Sequence, residues 1–343
     1  MVRKNIALLM LYLSTFTFLA ETSFAQTEED AETKYQTTEA AKVTKEITPT
    51  QASKTDNKWS VGINMSAFQG FDNNSSLDSS RRDDTFTEGT FSLDTDYKIS
   101  DDSRLKLRYD AADITYWHYT DASLLDNATG AGFEKDLSDN LIFYIGYEFE
   151  DLYYPNNEFG NYLGNSGEIS LKHIINKTLY QKAGFEYLNK GYSETRARDA
   201  AGNKTHHRGD NRYTGKYEIG ARFEKFMIKL KNTYYSNDSN DKYMDYYDYN
   251  SYKTAITVIY LITKRCYAYA NSGYEFKDYN DRTVLDKDEK QNDNVWTLNC
   301  SLLYELTKSV SMGVNYSYRQ NSSNDDALEY AGGLVSAGLY YTF

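Results

Sequence analysis

From Trp59 to Phe343 the large apolar residues recur at every second position rather than every third or fourth. That is the period of a β-strand with one apolar face. Thr87, Gly89, Phe91, Leu93, Thr95, Tyr97 and Ile99 share one face of a segment whose other face carries Glu88, Thr90, Ser92, Asp94, Asp96 and Lys98. Tyr213, Tyr217, Ile219, Ala221 and Phe223 stand in the same way against Thr214, Lys216, Glu218, Arg222 and Glu224. Trp296, Leu298, Cys300, Leu302, Tyr304 and Leu306 oppose Thr297, Asn299, Ser301 and Glu305. Such runs exceed the ~9–11 residues a tilted strand needs to cross a bilayer.

The connections alternate as well. Short polar turns fall at Ser100–Asp102, Ser138–Asn140, Asn176–Lys177, Lys225–Phe226, Thr263–Lys264 and Thr307–Lys308. Longer Asn-, Asp- and Ser-rich stretches lie between them, at Asp72–Asp84, Tyr119–Ser123, Tyr153–Phe159, Ser193–Asn211, Ser236–Lys242, Asp278–Asn292 and Gln320–Asp326. Short turns on one side and long loops on the other are the layout of an outer-membrane barrel. The pattern therefore predicts an all-β fold, a transmembrane antiparallel up-and-down β-barrel of about 14 strands. Weak alternation over Ala122–Lys135 and Thr178–Tyr192 leaves a range of about 12–16 open.

Both ends of the chain agree with export to that membrane. Arg3 and Lys4 precede an apolar stretch from Ile6 to Ala20, and Ser23-Phe24-Ala25 supplies small residues before Gln26. This is a secretory signal peptide over residues 1–25. Residues 26–58 are rich in Thr, Glu, Lys, Ala and Gln, with almost no large apolar side chains. They cannot bury enough surface to offset their ordering entropy and read as a disordered periplasmic linker. The barrel is expected over 59–343. At the far end Val335, Ala337, Leu339, Tyr341 and Phe343 occupy one face of a final strand. Val335, Leu339, Tyr341 and Phe343 look like the terminal signal read by the outer-membrane barrel assembly machinery.

Composition fits a wall between water and lipid. The 343 residues include 34 Tyr and only 2 Pro, with a net charge of −12. Mean hydropathy is −0.72, as expected when apolar residues take every second place in a strand. Tyr suits the headgroup girdles, where one end of the side chain is apolar and the other wet. The acidic balance excludes nucleic acid as a partner, because no basic cluster exists to neutralise phosphates. Acidic loops imply solvation first and divalent cations near lipopolysaccharide second. The partners expected are outer-membrane lipid, lipopolysaccharide, the assembly machinery and small hydrophilic solutes.

Catalytic signals are thin. Four His and two Cys show no metal spacing, so neither a metal nor a cofactor is expected. Cys266 and Cys300 are expected unpaired, with Cys300 on the lipid face. His173 falls in the lipid-facing register and is the sole candidate base for a lipid-acting enzyme, a reading that loses to an interfacial His. Glu148 and Glu150 share an inward face, as any polar lumen would arrange. The other inward positions expected to line a pore are Asp94, Asp96, Lys106, Arg108, Tyr144, Lys216, Glu218, Arg222, Lys229, Lys231 and Arg319. Their signs nearly balance, which implies weak ion selectivity or an interior closed by ion pairs.

The segment Asn315-Tyr316-Ser317-Tyr318-Arg319-Gln320-Asn321-Ser322-Ser323-Asn324, with Tyr330 and Leu334–Phe343 behind it, resembles the ending of β-barrel porin families of the porin-2-like kind. Phe71-Asp72-Asn73-Asn74 is similar to the opening of the first strand pair in the same group. The resemblance implies a porin-like outer-membrane barrel, associated in some members with surface polysaccharide, and brings no catalytic residues. The function expected is passive or weakly selective passage of small hydrophilic solutes, saccharides among them, through a monomeric barrel; this is not an enzyme. The alternative is a non-conducting structural or adhesive barrel that acts through its extracellular loops.

Overall fold

The computed structural model describes residues 58–243, 245–284 and 287–343. The signal peptide expected at 1–25 and all but the last residue of the linker expected at 26–58 lie outside the described residues. The rest forms fourteen strands: β1 (Trp59–Asp72), β2 (Asp84–Lys98), β3 (Ser103–Tyr116), β4 (Leu124–Ser138), β5 (Leu141–Tyr153), β6 (Tyr162–Ile174), β7 (Leu179–Arg198), β8 (Lys204–Arg222), β9 (Phe226–Ser239), β10 (Tyr249–Thr263), β11 (Cys266–Thr283), β12 (Lys290–Glu305), β13 (Val310–Ser323) and β14 (Tyr330–Thr342). Each pairs antiparallel with its neighbours in sequence, and β14 returns to β1, closing the barrel. The seam runs from Asn64 opposite Thr342 to Asp72 opposite Leu334. Beyond it, Ile63 and Phe343 exchange both backbone hydrogen bonds at 2.9 Å, so the chain terminus is itself part of the wall. Closure leaves no sheet edge to meet lipid with unpaired N–H and C=O groups.

Following the pairing once round the wall displaces the register by about 18 residues. For fourteen strands at normal spacing this shear tilts the strands by about 40° and sets a backbone diameter of about 28 Å. Side chains from opposite walls cannot fill such a width by themselves.

Alternation sorts the side chains. Leu302, Leu339, Val314, Ile169 and Ile145 are exposed on the outside, a belt that only lipid can cover. Aromatic residues rim it. Trp59 meets Tyr97 at the periplasmic end, with centroids 4.6 Å apart. Near the extracellular side Tyr187 lies against Tyr213, Tyr234 against Tyr252 and Trp296 against Tyr318. Several of these tyrosines donate to an asparagine one strand on: Tyr187 to Asn211 (2.6 Å), Tyr234 to Asn250 (2.9 Å), Tyr274 to Asn294 (2.5 Å). The ring stays in the apolar belt and the hydroxyl reaches its polar border.

Three expected loops are shorter than their polar sequences suggest. Within Ser193–Asn211, β7 and β8 continue as a hairpin, with Arg196 opposite His207 and Arg198 opposite Lys204. Within Asp278–Asn292, β11 and β12 continue until Thr283 faces Lys290. β13 likewise runs on to Ser323. Above the bilayer both faces of a strand meet water, so the period-two contrast vanishes while the backbone still gains by pairing. The two weak segments are full strands, β4 and β7. Glycines dilute their pattern, and the structure gives Gly132 a reason: a Cβ there would sit 2.5 Å from the ring of Tyr144.

Cys266 faces Tyr304 and Cys300 faces Ala270, so the two are offset by four residues. That is about 13 Å along the sheet, beyond disulfide reach, and both cysteines are free.

Candidate functional site

The inner face is the surface that the closed sheet screens from lipid. Directly paired residues share a face, so the register fixes who lines it. Asp94 faces Arg108, Asp96 faces Lys106, Glu134 faces Tyr144, and Glu218 lies between Lys182 and Lys231. Asp94, Asp96, Lys106, Arg108, Tyr144, Glu148, Lys216, Glu218 and Lys229 are half-buried on this face, and Arg222 and Lys231 are exposed.

The charges are not mixed evenly. On β2–β5 the inner carboxylates that keep some exposure are Asp94, Asp96, Asp110, Asp126, Glu134, Asp136, Glu148 and Glu150; the cations are Lys98, Arg104, Lys106 and Arg108. On β6–β10 the order reverses. Lys172, Lys182, Arg212, Lys216, Arg222, Lys229, Lys231 and Lys253 stand there with Glu168, Glu186 and Glu218. At mid-height the remaining wall, β11–β14 and β1, is neutral, with Asn271, Asn299, Ser301, Asn315, Ser336 and Ser66.

Several ion pairs form within one arc. Lys106 meets Glu134 at 2.9 Å, Arg104 meets Asp136 at 2.9 Å, and Arg108 pairs with Asp110. On the other arc Lys216 meets Glu186 at 2.5 Å and Lys182 meets Glu168 at 3.2 Å. Pairing within an arc lowers its field without changing its sign. Two inner tyrosines have structural work: Tyr144 lies over Gly132 and Gly146, and Tyr180 lies over Gly220 and donates to Glu218 (2.8 Å).

Apolar residues also reach the inner face, which the alternation did not foretell. Phe68, Tyr267, Leu303 and Tyr340 form one buried cluster, and Met227, Ile259 and Tyr269 another. Toward the extracellular end a larger cluster joins Phe86, Ile114, Tyr116, Leu124, Leu152, Tyr154, Tyr162, Tyr192 and Leu334. Cations lie on tyrosine faces there: Lys190 on Tyr162 (4.4 Å), Arg208 on Tyr192 (4.3 Å) and Arg212 on Tyr235 (4.6 Å).

Arg319 belongs to this end rather than to the half-exposed lining. It is 5% exposed and donates to Asp72 at 2.7 Å. Asp72, itself fully buried, also accepts from the Tyr116 hydroxyl (2.9 Å) and the Asn74 amide (3.0 Å). The first extracellular loop is thereby pinned to β13 and β3, with Leu77 and Arg81 in the left-handed region to make its turns.

The outer candidates lie elsewhere. Val335, Leu339, Tyr341 and Phe343 are exposed in the lipid-facing register of β14. His173 is on the outside near the periplasmic turn, with Gln181 Nε2 at 3.3 Å and Asn140 Nδ2 at 3.5 Å. Both neighbours are amides, and neither is a nucleophile that a histidine base would activate. In the loop between β9 and β10, Lys242 sits among Asp238 (3.3 Å), Asp248 (3.1 Å) and Asp245 (4.0 Å). Burial pushes the Asp248 carboxyl above its ordinary range, against the Ser239 amide and Lys242. Among the described residues no group of His, Cys, Asp or Glu is arranged to hold a metal ion.

A closed sheet with a lipid-facing apolar belt, aromatic rims, short turns at one end and a polar interior is an outer-membrane β-barrel, and the outer membrane is where the protein resides. The solved structures it is similar to agree on the fold. OmpT, an outer membrane protein of Vibrio cholerae, superposes with a TM-score of 0.52 at 8% identity, over 84% of this chain and 99% of that one. The outer membrane channel DcaP of Acinetobacter baumannii gives 0.52 at 9% identity, over 83% and 97%. No family model and no curated protein sequence matches the chain.

Proposed function

We propose that the protein is a porin-like channel of the outer membrane that passes small hydrophilic solutes without chemical change. The observation that carries this reading is the half-exposed charged lining of β2–β10 inside a wall about 28 Å across. Charged groups facing a dry interior would be buried in tight pairs or absent. Here Lys231 and Arg222 stay exposed on the inner face. The porin-2-like resemblance of Asn315–Asn324 and the DcaP likeness in fold point the same way. Lipopolysaccharide and lipid surround the belt, and the assembly machinery reads Val335, Leu339, Tyr341 and Phe343.

A second reading has its own observation. The extracellular cluster buries Tyr116, Tyr162 and Tyr192 almost completely, so this end of the lumen is packed. A barrel shut there would act through its hairpins and loops, as a structural or adhesive protein. Single-channel recording of the refolded protein in a planar bilayer separates the two. Stable, reproducible current steps support the channel. A barrel with normal strand content and heat-modifiable migration that never conducts excludes it and leaves the loop-acting barrel.

A further inference from the structure

We infer that the outer wall at β8–β10 is the contact face of a twofold dimer, in which a second copy of this chain is the partner within the membrane. The observation behind it is an asparagine inside the apolar belt. On β8, β10 and β12 the outward asparagine lies beyond the rim aromatic, toward the extracellular end: Asn211 beyond Tyr213, Asn250 beyond Tyr252, Asn294 beyond Trp296. On β9 the order is reversed. Asn232 is exposed between Leu230 and Tyr234, on the bilayer side of the tyrosine. Two residues along a strand tilted by about 40° place it about 5 Å inside the belt. Its Oδ1 accepts from Thr254 Oγ1 at 2.9 Å. Among the described residues nothing accepts from its Nδ2 group. Hydrocarbon offers no acceptor either, so lipid alone leaves that donor unsatisfied at a cost. Polar groups kept in such a place face another protein surface as a rule.

The surface around Asn232 is shaped for a second copy. Gly215 is exposed on β8, and a Cβ there would meet only the Tyr234 carbonyl oxygen, at 4.0 Å, so the wall has a notch. Direct pairing sets Tyr217, Asn232 and Thr254 in one row, and Gly215, Tyr234 and Tyr252 in the next. The shear makes each row climb toward the extracellular end by about 1.3 residues per strand. Gly215, Asn232 and Thr254 therefore stand side by side at nearly one height. Two barrels in one membrane share their orientation, so a twofold axis between them runs along the membrane normal and preserves height. With the axis beside β9, Asn232 meets the partner's Asn232 and β8 faces the partner's β10. An amide carries both a donor and an acceptor, so each Nδ2 donates to the other Oδ1, which keeps a lone pair beside Thr254. Gly215 receives the partner's Thr254, a small side chain entering a notch. In lipid, close packing at small residues and polar side-chain bonds are what hold protein surfaces together. Such a contact is isologous and closes at two copies. It is independent of whether the lumen conducts.

The test begins in the outer membrane. Asn232→Cys is placed in a Cys266→Ser/Cys300→Ser background, and the membrane fraction is oxidised with copper phenanthroline. A disulfide-linked band of twice the chain mass is expected, because a residue beside the axis lies within disulfide reach of its own copy. Leu93→Cys in the same background is the control, on the lipid-facing side of β2, seven strands away from β9; it should stay monomeric. Sedimentation equilibrium of the detergent-extracted full chain gives the mass without a cross-link. Twice the chain mass is expected for the natural sequence and a single chain mass for Asn232→Leu, with strand content and heat-modifiable migration unchanged. This comparison serves alone if the cysteine variant fails to fold. A monomeric natural protein overturns the inference. So does an assembly that Asn232→Leu leaves intact, a threefold mass, or equal cross-linking from Leu93→Cys and Asn232→Cys.

Discussion

The Asp72–Arg319 pair offers the sharpest test of how the extracellular end is held. Asp72→Asn keeps the size and shape of the side chain and removes its charge. Arg319 is then a buried cation whose carboxylate partner, 2.7 Å away, has become a neutral amide. Removing one member of a buried pair costs about 3–5 kcal/mol. The amide oxygen can still accept from Tyr116 Oη, and Arg319 keeps the Asn74 carbonyl at 3.3 Å, so the lower end, about 3 kcal/mol, is expected. With a denaturant slope of about 3 kcal/mol/M the urea midpoint falls by about 1 M. The assay is equilibrium unfolding in lipid or detergent followed by tryptophan fluorescence. Arg319→Met alone should also destabilise, leaving Asp72 without its cation. The double variant should recover a good part of both losses, giving a coupling energy of about 1–3 kcal/mol. A loss below about 1 kcal/mol for Asp72→Asn, or strict additivity in the cycle, would refute the claim that this pair clamps the first loop to β13.

Leu302 stands in the middle of the lipid-facing belt, and Leu302→Arg should cost about 2–4 kcal/mol in the same unfolding assay; a neutral result would mean that this face does not meet lipid. Removing Phe343 takes away the terminal aromatic and the two backbone bonds it exchanges with Ile63; folded, heat-modifiable barrel in the outer membrane should drop several-fold, and undiminished yield would count against the assembly role. In the turn between β7 and β8, the Asn203 side chain and the Asn203, Ala201 and Gly202 amides hold the Asp199 carboxyl below its ordinary value. A depressed carboxyl stabilises the folded turn above the unfolded pKa of about 4 and loses that effect as pH falls through the lower folded value. The protection of the Gly202 amide, bonded to the Asp199 carbonyl at 2.9 Å, against its intrinsic exchange rate should fall below that pH and stay level in Asp199→Asn, and equal profiles would remove the effect.

The wall was legible because period-two alternation is a local signal that burial on one side enforces. It gave about fourteen strands, and left the count open only at the Gly-diluted β4 and β7. The hairpins above the membrane were illegible for the same reason: with water on both faces of Arg196, Arg198 and Lys204, nothing selects a period. Arg319 looked like another inward charge, since its alternation matches that of Lys229. What separates them is Asp72, 247 residues away in sequence and brought beside it only by closure of β14 on β1. The buried inner aromatics were hidden because Tyr267 and Tyr269 alternate with Ala268 and Ala270. Small residues on the lipid face reverse the usual contrast there.

The sorting of the lumen charges stood in the sequence all along. In an up-and-down barrel every strand pairs with the next, so order along the chain is order around the circumference. Charges summed over all inward positions, such as Glu148, Lys216 and Lys231, nearly vanish, and that sum suggests a featureless lumen. The same residues taken in chain order give a carboxylate-rich block before Tyr153 and a cation-rich block from Lys172 to Lys253. Antiparallel pairing turns that linear separation into an angular one, with no long-range contact required to specify it. A soluble fold with crossing connections would scramble such blocks in space. In this topology they are preserved as neighbouring arcs of the wall, which meet where β5 pairs with β6.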